Sequence, residues 1–185
     1  MSKFIYLDKI FFPLLMNNYA FIDAQNLHFG ISKNIKNKKG KTVYQGWFLD
    51  LKLFLQYLKK HYQVKKAYLF MGHLPENESM YQMFKSFGYD IVFKEVIKDS
   101  TGKPKGNVDS ELVVQALGYD YDNYEKAVIV SGDGDFACLV KYLKENKKFH
   151  VVLAPHRVKC SRLLRKQAKK QINFLNDFKD ELEQK

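Results

Sequence analysis

The sequence predicts an α/β domain of three layers, with helices on both faces of a mostly parallel central sheet. Two observations carry that expectation. Short apolar runs of strand length alternate with segments whose apolar residues recur at helical spacing. No internal repeat and no long linker divides the 185 residues, and a hydrophobic content of 46% is enough for one real core.

The elements follow in order. Tyr19-Ala20-Phe21-Ile22 reads as a buried strand ending in Asp23, and Ala24 to Gly30 reads as a loop. Residues 32–46, with Lys33, Lys36, Lys38, Lys39 and Lys41, read as an exposed basic loop. Phe48, Leu51, Phe54, Leu55 and Leu58 predict a helix over Phe48–Tyr62. Ala67–Met71 is a second strand, Glu78–Phe87 a helix stopped by Gly88, and Ile91 to Val96 a third strand. A polar loop, Asp99–Asn107, leads to a helix over Val108–Leu117. Ala127–Val130 is the cleanest buried strand and runs straight into Ser131-Gly132-Asp133-Gly134-Asp135, followed by a helix bearing Phe136, Leu139, Val140 and Leu143. Val151–Ala154 is a fifth strand, Ser161 caps a basic helix, Ile172–Phe174 is a short last strand, and Asp177–Glu183 closes the chain. We expect one domain over residues 19–185. Residues 1–18 form an N-terminal extension, and Met16 is a candidate true start.

Charge narrows the partner. Lys and Arg number 31 against 20 acids, a formal charge of +11, which favours a polyanion, nucleic acid first. The apolar stretch in residues 1–16 is broken by Asp8, Lys9 and Pro13. No apolar run approaches the about 18 residues of a membrane span, so no membrane partner is expected. Cys138 and Cys160 form no metal spacing and suit a reducing, cytoplasmic setting. Any metal site would then be built of oxygen ligands.

In open parallel sheets, sites lie beyond the carboxyl ends of the strands. Asp23 follows the first strand, Asp133 and Asp135 follow the fourth, and Asp109 opens the helix after the third. Clustered carboxylates repel one another unless protonated or neutralised, and Mg²⁺ or Mn²⁺ resolves the conflict with one or two direct carboxylates and several waters. Gly132 and Gly134 are expected to let the chain turn sharply. The Gly-Asp-Gly-Asp run also fits a plain turn with a helix N-cap. Asn26 either contacts a carboxylate or metal-bound water or forms an Asx-turn. Ser131 either binds phosphate or caps its turn. Glu111 lies about 200° round the helix from Asp109 and points elsewhere. Of the histidines, His28 lies on the loop nearest the site. Arg157, Lys159, Arg162, Arg165, Lys166, Lys169 and Lys170 crowd one segment. With Lys103, Lys105 and the loop lysines they either flank the acidic edge or form a solvated face. Phe29 and Trp47 are candidate stacking rings.

Ile22-Asp23-Ala24-Gln25-Asn26-Leu27, Lys105-Gly106-Asn107-Val108-Asp109 and Ser131-Gly132-Asp133-Gly134-Asp135-Phe136, in that order, resemble the NYN domain of LabA-like proteins in the PIN-like nuclease superfamily. The resemblance spans Tyr19 to Phe174. It implies a three-layer fold, a Mg²⁺ or Mn²⁺ site and hydrolysis of RNA by metal-activated water. It carries over to Asp23, Asn26, Asp109, Ser131, Asp133 and Asp135. Two positions depart from the pattern: Ala24 replaces the usual Gly, and Gln115 stands where the family often has a further Asp. The second departure implies a weaker second metal position.

Rival readings are an RNA- or protein-binding module that does not cut, and another Mg²⁺ enzyme on an α/β sheet. Asp23-Ala24-Gln25 lacks the Asp-x-Asp-x-Thr of a haloacid-dehalogenase phosphatase, and Asp23 stands where a Toprim-like nuclease wants Glu. RNA is the expected partner, and a homodimer is left open.

Overall fold

The computed structural model describes residues 16–94, 97–98, 104–105 and 108–185. Its centre is a six-stranded sheet. The strands are β1 (Asn18–Asp23), β2 (Val64–Gly72), β3 (Asp90–Lys94), β4 (Ala127–Val130), β5 (Phe149–Ala154) and β6 (Ile172–Phe174). Every neighbouring pair is parallel, and the spatial order is β3-β2-β1-β4-β5-β6. The chain leaves β1 toward one edge and later crosses back to β4 on the other side. The crevice where ligands settle in such sheets therefore lies between the ends of β1 and β4.

The strands are buried on both faces, as parallel strands between helices must be. Ala20, Ile22, Val128, Val130, Val151 and Leu153 pack on one face with Leu27 and Ile31 of α1 (Ala24–Ser32) and Phe54, Leu55 and Leu58 of α2 (Leu51–Tyr62). Phe84 and Phe87 of α3 (Glu78–Phe87) border the same core. Phe21, Phe70, Ile129 and Val152 alternate to the other face. There they meet Leu112 of α4 (Asp109–Val114), Leu139 and Leu143 of α5 (Ala137–Glu145), and Leu164 of α6 (Arg162–Ala168). A short helix, α7 (Lys179–Leu182), returns Leu182 to the first face.

Several expectations are corrected. The loop read at Ala24–Gly30 is α1: Asp23 caps it by accepting from the Asn26 N–H at 3.0 Å, and Leu27 and Ile31 bury one face. The second helix begins at Leu51, because Asp50 caps it by accepting from Lys52 N and Leu53 N. Phe48 therefore stands outside it, 67% exposed. The basic loop holds a small hairpin, Ile35–Lys36 against Thr42–Tyr44. The fourth helix runs on past Val114 into a π-helical turn, Gln115–Tyr119. Gly132 and Gly134 do not take positive φ. A Cβ on Gly134 would lie 2.5 Å from Ser161 Oγ, so that glycine serves close approach of the α6 N-terminus. Residues 1–15 and most of the polar loop Asp99–Asn107 lie outside the described residues.

Candidate active site

The ends of β1 and β4 are tied together by a hydrogen-bond network built from the motif residues. Asp23 is only 5% exposed at the end of β1. Its Oδ2 accepts from Ser131 Oγ at 3.3 Å, and Ser131 Oγ in turn accepts from the Asp133 N–H at 3.1 Å. The Gly132 N–H donates to Asn26 Oδ1 at 2.8 Å, which joins α1 to the turn after β4. The Gly132 carbonyl accepts from the Ser161 N–H at 2.9 Å, bringing in the start of α6. Asn26 thus both follows a capping aspartate and crosses to the turn after β4, and Ser131 bridges two carboxylate-bearing residues.

Above this network lies an open cleft of about 640 Å³. Asp23, Asp109 and Asp133 all line it, with Asn26, Lys33, His156 and Lys159. Burial pushes the Asp23 carboxyl up to about 6. The bond from Asn26 N–H opposes that rise, the negative charge of Asp109 adds to it, the Ser131 bond opposes it, and Asp133 adds the rest. The acids are therefore electrostatically coupled. They remain spread: among the described residues, no three His, Cys, Asp or Glu side chains form a group tight enough to hold an ion by themselves. The donor set still fits a hard divalent cation. It is all oxygen, it contains a buried carboxylate that pays for its charge, and such ions take one or two carboxylates and complete their shell with water.

The remaining candidates separate by position. Asp135 is exposed on a 3₁₀ turn, Gly134–Phe136, and does not line the cleft. Its N–H donates to Asp133 Oδ1 at 3.0 Å, so Asp133 caps that turn as well as facing the cleft. Arg157 pairs with Asp177 at 2.8 Å, lies 4.2 Å over the Phe174 ring and does not line the cleft. Arg165 also lies against Phe174, and Arg162 is exposed on α6. The Lys105 side chain lies outside the described residues. Glu111 points away, paired with Lys94 at 2.9 Å.

Three sequence readings are corrected here. Gln115 does not line the cleft. Its Nε2 donates to Asp120 Oδ2 at 2.6 Å, in a network that also takes the Tyr68 hydroxyl at 2.5 Å and Asn123 Nδ2 at 3.1 Å. Trp47 is 2% exposed and belongs to the core; Phe29, 43% exposed, is the ring available at the cleft. The histidine at the cleft is His156, while His28 borders a neighbouring apolar groove between α1, α2 and α3. His156 sits on the loop after β5, so the strand-end rule that located the aspartates also reaches it.

An all-parallel sheet in this order, with coupled aspartates at its crossover, defines an α/β domain with an acidic, oxygen-ligand cleft. The chain belongs to the NYN domain family, a PIN-like nuclease family, and the match covers residues 19–176. It is 27% identical over 173 residues to the low amplitude and bright protein LabA of Synechococcus elongatus, covering 88% of this chain and 86% of that one. Its fold is shared with the crystal structure of a Vibrio parahaemolyticus protein of unknown function, at a TM-score of 0.69 and 20% identity, over 91% of this chain and 96% of the other.

Proposed function

We propose that this protein is a metal-dependent ribonuclease that hydrolyses RNA phosphodiester bonds with water. The observation that carries the reading is the buried Asp23 carboxylate, coupled to Asp109 and Asp133 in one cleft at the sheet crossover. Asp23, Asp109 and Asp133 would hold Mg²⁺ or Mn²⁺, directly or through water. When bound, such an ion supplies Lewis acidity at a phosphate oxygen and lowers the pKa of a water molecule. Ser131 and the Asn26 N–H fix the Asp23 carboxylate, so its orientation is set before substrate arrives. Asp135 is assigned an outer role, orienting solvent at the mouth of the site. Lys33 and Lys159 offer positive charge to the phosphate backbone from the cleft wall, and the exposed face of Phe29 offers a base-stacking surface.

The test is cleavage of single-stranded RNA with Mg²⁺ or Mn²⁺. Asp23→Asn and Asp133→Asn are each expected to lose at least about 100-fold in rate, on the scale of losing one electrostatic element of a site. Variants that cut as fast as wild type would end this assignment.

A second reading is an RNA-binding module that does not cut. The spread of the carboxylates favours it, because no three described acids close on one point. RNA binding that persists in chelator, with no metal-dependent cleavage by wild type, would select it.

A further inference from the structure

The loop leaving β5, Pro155 to Cys160, forms one wall of the cleft, and its histidine has no part in the hydrolysis proposed above. His156 is 6% exposed, far more buried than a surface histidine, and its ring meets the Tyr44 ring edge-on at 4.1 Å. Tyr44 is itself anchored, donating from its hydroxyl to the Ile31 carbonyl at 3.1 Å. The His156 ring is therefore clamped between its own loop and the basic hairpin.

Its two nitrogens are distinguished. Nδ1 accepts from the Val158 N–H at 3.0 Å. A ring whose Nδ1 is an acceptor carries its proton on Nε2 when neutral. Burial lowers the pKa of the ring, the charge of Lys159 lowers it further, and Asp177 opposes them. The ring is thus held neutral near pH 7, with Nε2–H as a donor. Among the described residues Nε2 has no hydrogen-bond partner, yet it is not one of the side-chain atoms sealed from solvent without one. Nε2 thus keeps contact with solvent, on a clamped ring whose residue lines an open cleft.

Two charges act on the ring: the Lys159 ammonium, and the Asp177 carboxylate, which Arg157 neutralises. Lys159 and Asn34 line the same cleft, as does Lys33, whose ammonium lies 4.0 Å over the Phe29 ring. Such surroundings suit an anion rather than a metal ion. The end of β5 lies two strand spacings from the end of β1, about 10 Å along the sheet edge. The carboxylates and His156 thus occupy different stations of one cleft.

We propose that His156 donates from Nε2 to a non-bridging phosphate oxygen of a bound RNA strand, at a phosphate adjoining the one that faces the aspartates. The Pro155–Cys160 loop is then a phosphate subsite and His156 a substrate-positioning residue. This rests on the RNA reading given above, and it does not require that the strand be cut.

Binding of a fluorescent single-stranded RNA oligonucleotide, with Ca²⁺ in place of Mg²⁺ and across a range of salt, tests it. His156→Phe keeps a flat ring but has no donor, and is expected to weaken binding about 3- to 10-fold, the scale of one net hydrogen bond. His156→Gln retains an Nε2 donor and is expected to bind within about twofold of wild type. A neutral donor releases no counterion, so the salt slope should be unchanged in His156→Phe, whereas Lys159→Ala should make it shallower by about one. Nitrogen-15 NMR of the wild-type histidines supplies a readout independent of any variant: the His156 signal should report the neutral Nε2–H form at pH 7, and Nε2 should shift on adding RNA. If wild type binds RNA and His156→Phe binds equally well, the inference is overturned while the RNA reading stands. It is also overturned if folded His156→Gln fails as badly as His156→Phe, if the ring is protonated on Nδ1, or if Nε2 is unmoved by RNA. If wild type binds no RNA, the RNA reading fails and this inference falls with it.

Discussion

Asp23 shows at residue scale how a site costs stability. Its carboxyl is raised from 3.8 to about 6, so between those values the native state holds a proton that the unfolded chain has released. The contribution of Asp23 to stability is then highest below 3.8, falls as pH rises toward 6, and stays lower above it. Asp23→Asn removes that charge and keeps an oxygen to accept from the Asn26 N–H, while its amide N–H takes the place of Oδ2 and donates to Ser131 Oγ. In chelator at pH 8 it should be more stable than wild type by about 1–3 kcal/mol, and at pH 3.5 the gain should vanish, as urea melts at the two pH values would show. Gln115 gives the opposite lesson. A carboxylate introduced there would face Asp120, which is 6% exposed and already accepts from Tyr68, Gln115 and Asn123. Gln115→Asp should therefore destabilise the fold by about 1–3 kcal/mol. It should not raise metal-dependent cleavage; a gain in cleavage with unchanged stability would reject this account.

At the scale of elements, the site depends on helix N-termini being brought close to strand ends. Ser161 caps α6 by accepting from the Leu163 N–H at 3.2 Å, and its Oγ would lie 2.5 Å from a Cβ on Gly134. Gly134→Ala should cost about 1–3 kcal/mol by overpacking, and Ser161→Ala about 1 kcal/mol through the lost cap. The double variant should cost less than the sum, because removing Oγ leaves Ser161 Cβ at 3.2 Å as the nearest atom. Thermal melts of the four proteins give the coupling, and strict additivity would mean that the two residues do not press on each other. The same closeness made α1 hard to read. Asn26 and Gly30 look like loop residues in sequence, yet Asn26 reaches across to Gly132 N, and a Cβ on Gly30 would lie 2.5 Å from Pro155 Cβ. Both serve contacts with residues more than a hundred positions away, which local propensity does not encode.

At the scale of the whole molecule, the three carboxylates come from segments that share no contiguous sequence. An ion held among them would join the ends of β1 and β4 to the start of α4. Excess Mn²⁺ should therefore raise the melting temperature of wild type by about 5 °C, from a few kcal/mol of linkage, and should shift Asp23→Asn or Asp133→Asn much less. An equal shift in all three proteins would place the ion elsewhere. No described helix is long and apolar enough to cross a membrane. The excess of cations is not spread evenly in its roles: Lys33 and Lys159 line the cleft, whereas Arg157 is paired with Asp177 and does not.

By itself the sequence determined the layer architecture, the acidic strand ends and the family. Continuous apolar runs of strand length, and aspartates placed directly after them, are local signals that survive in one dimension. Only the tertiary structure decided which of those residues meet. It set Asp135 outside the cleft, committed Gln115 to Asp120, buried Trp47, and brought His156 in from the loop after β5. The physical reason is that strand order in space, β3-β2-β1-β4-β5-β6, differs from order along the chain. Neighbours at a parallel sheet edge are chosen by strand pairing, and each side chain then takes the direction that its burial and hydrogen bonds allow.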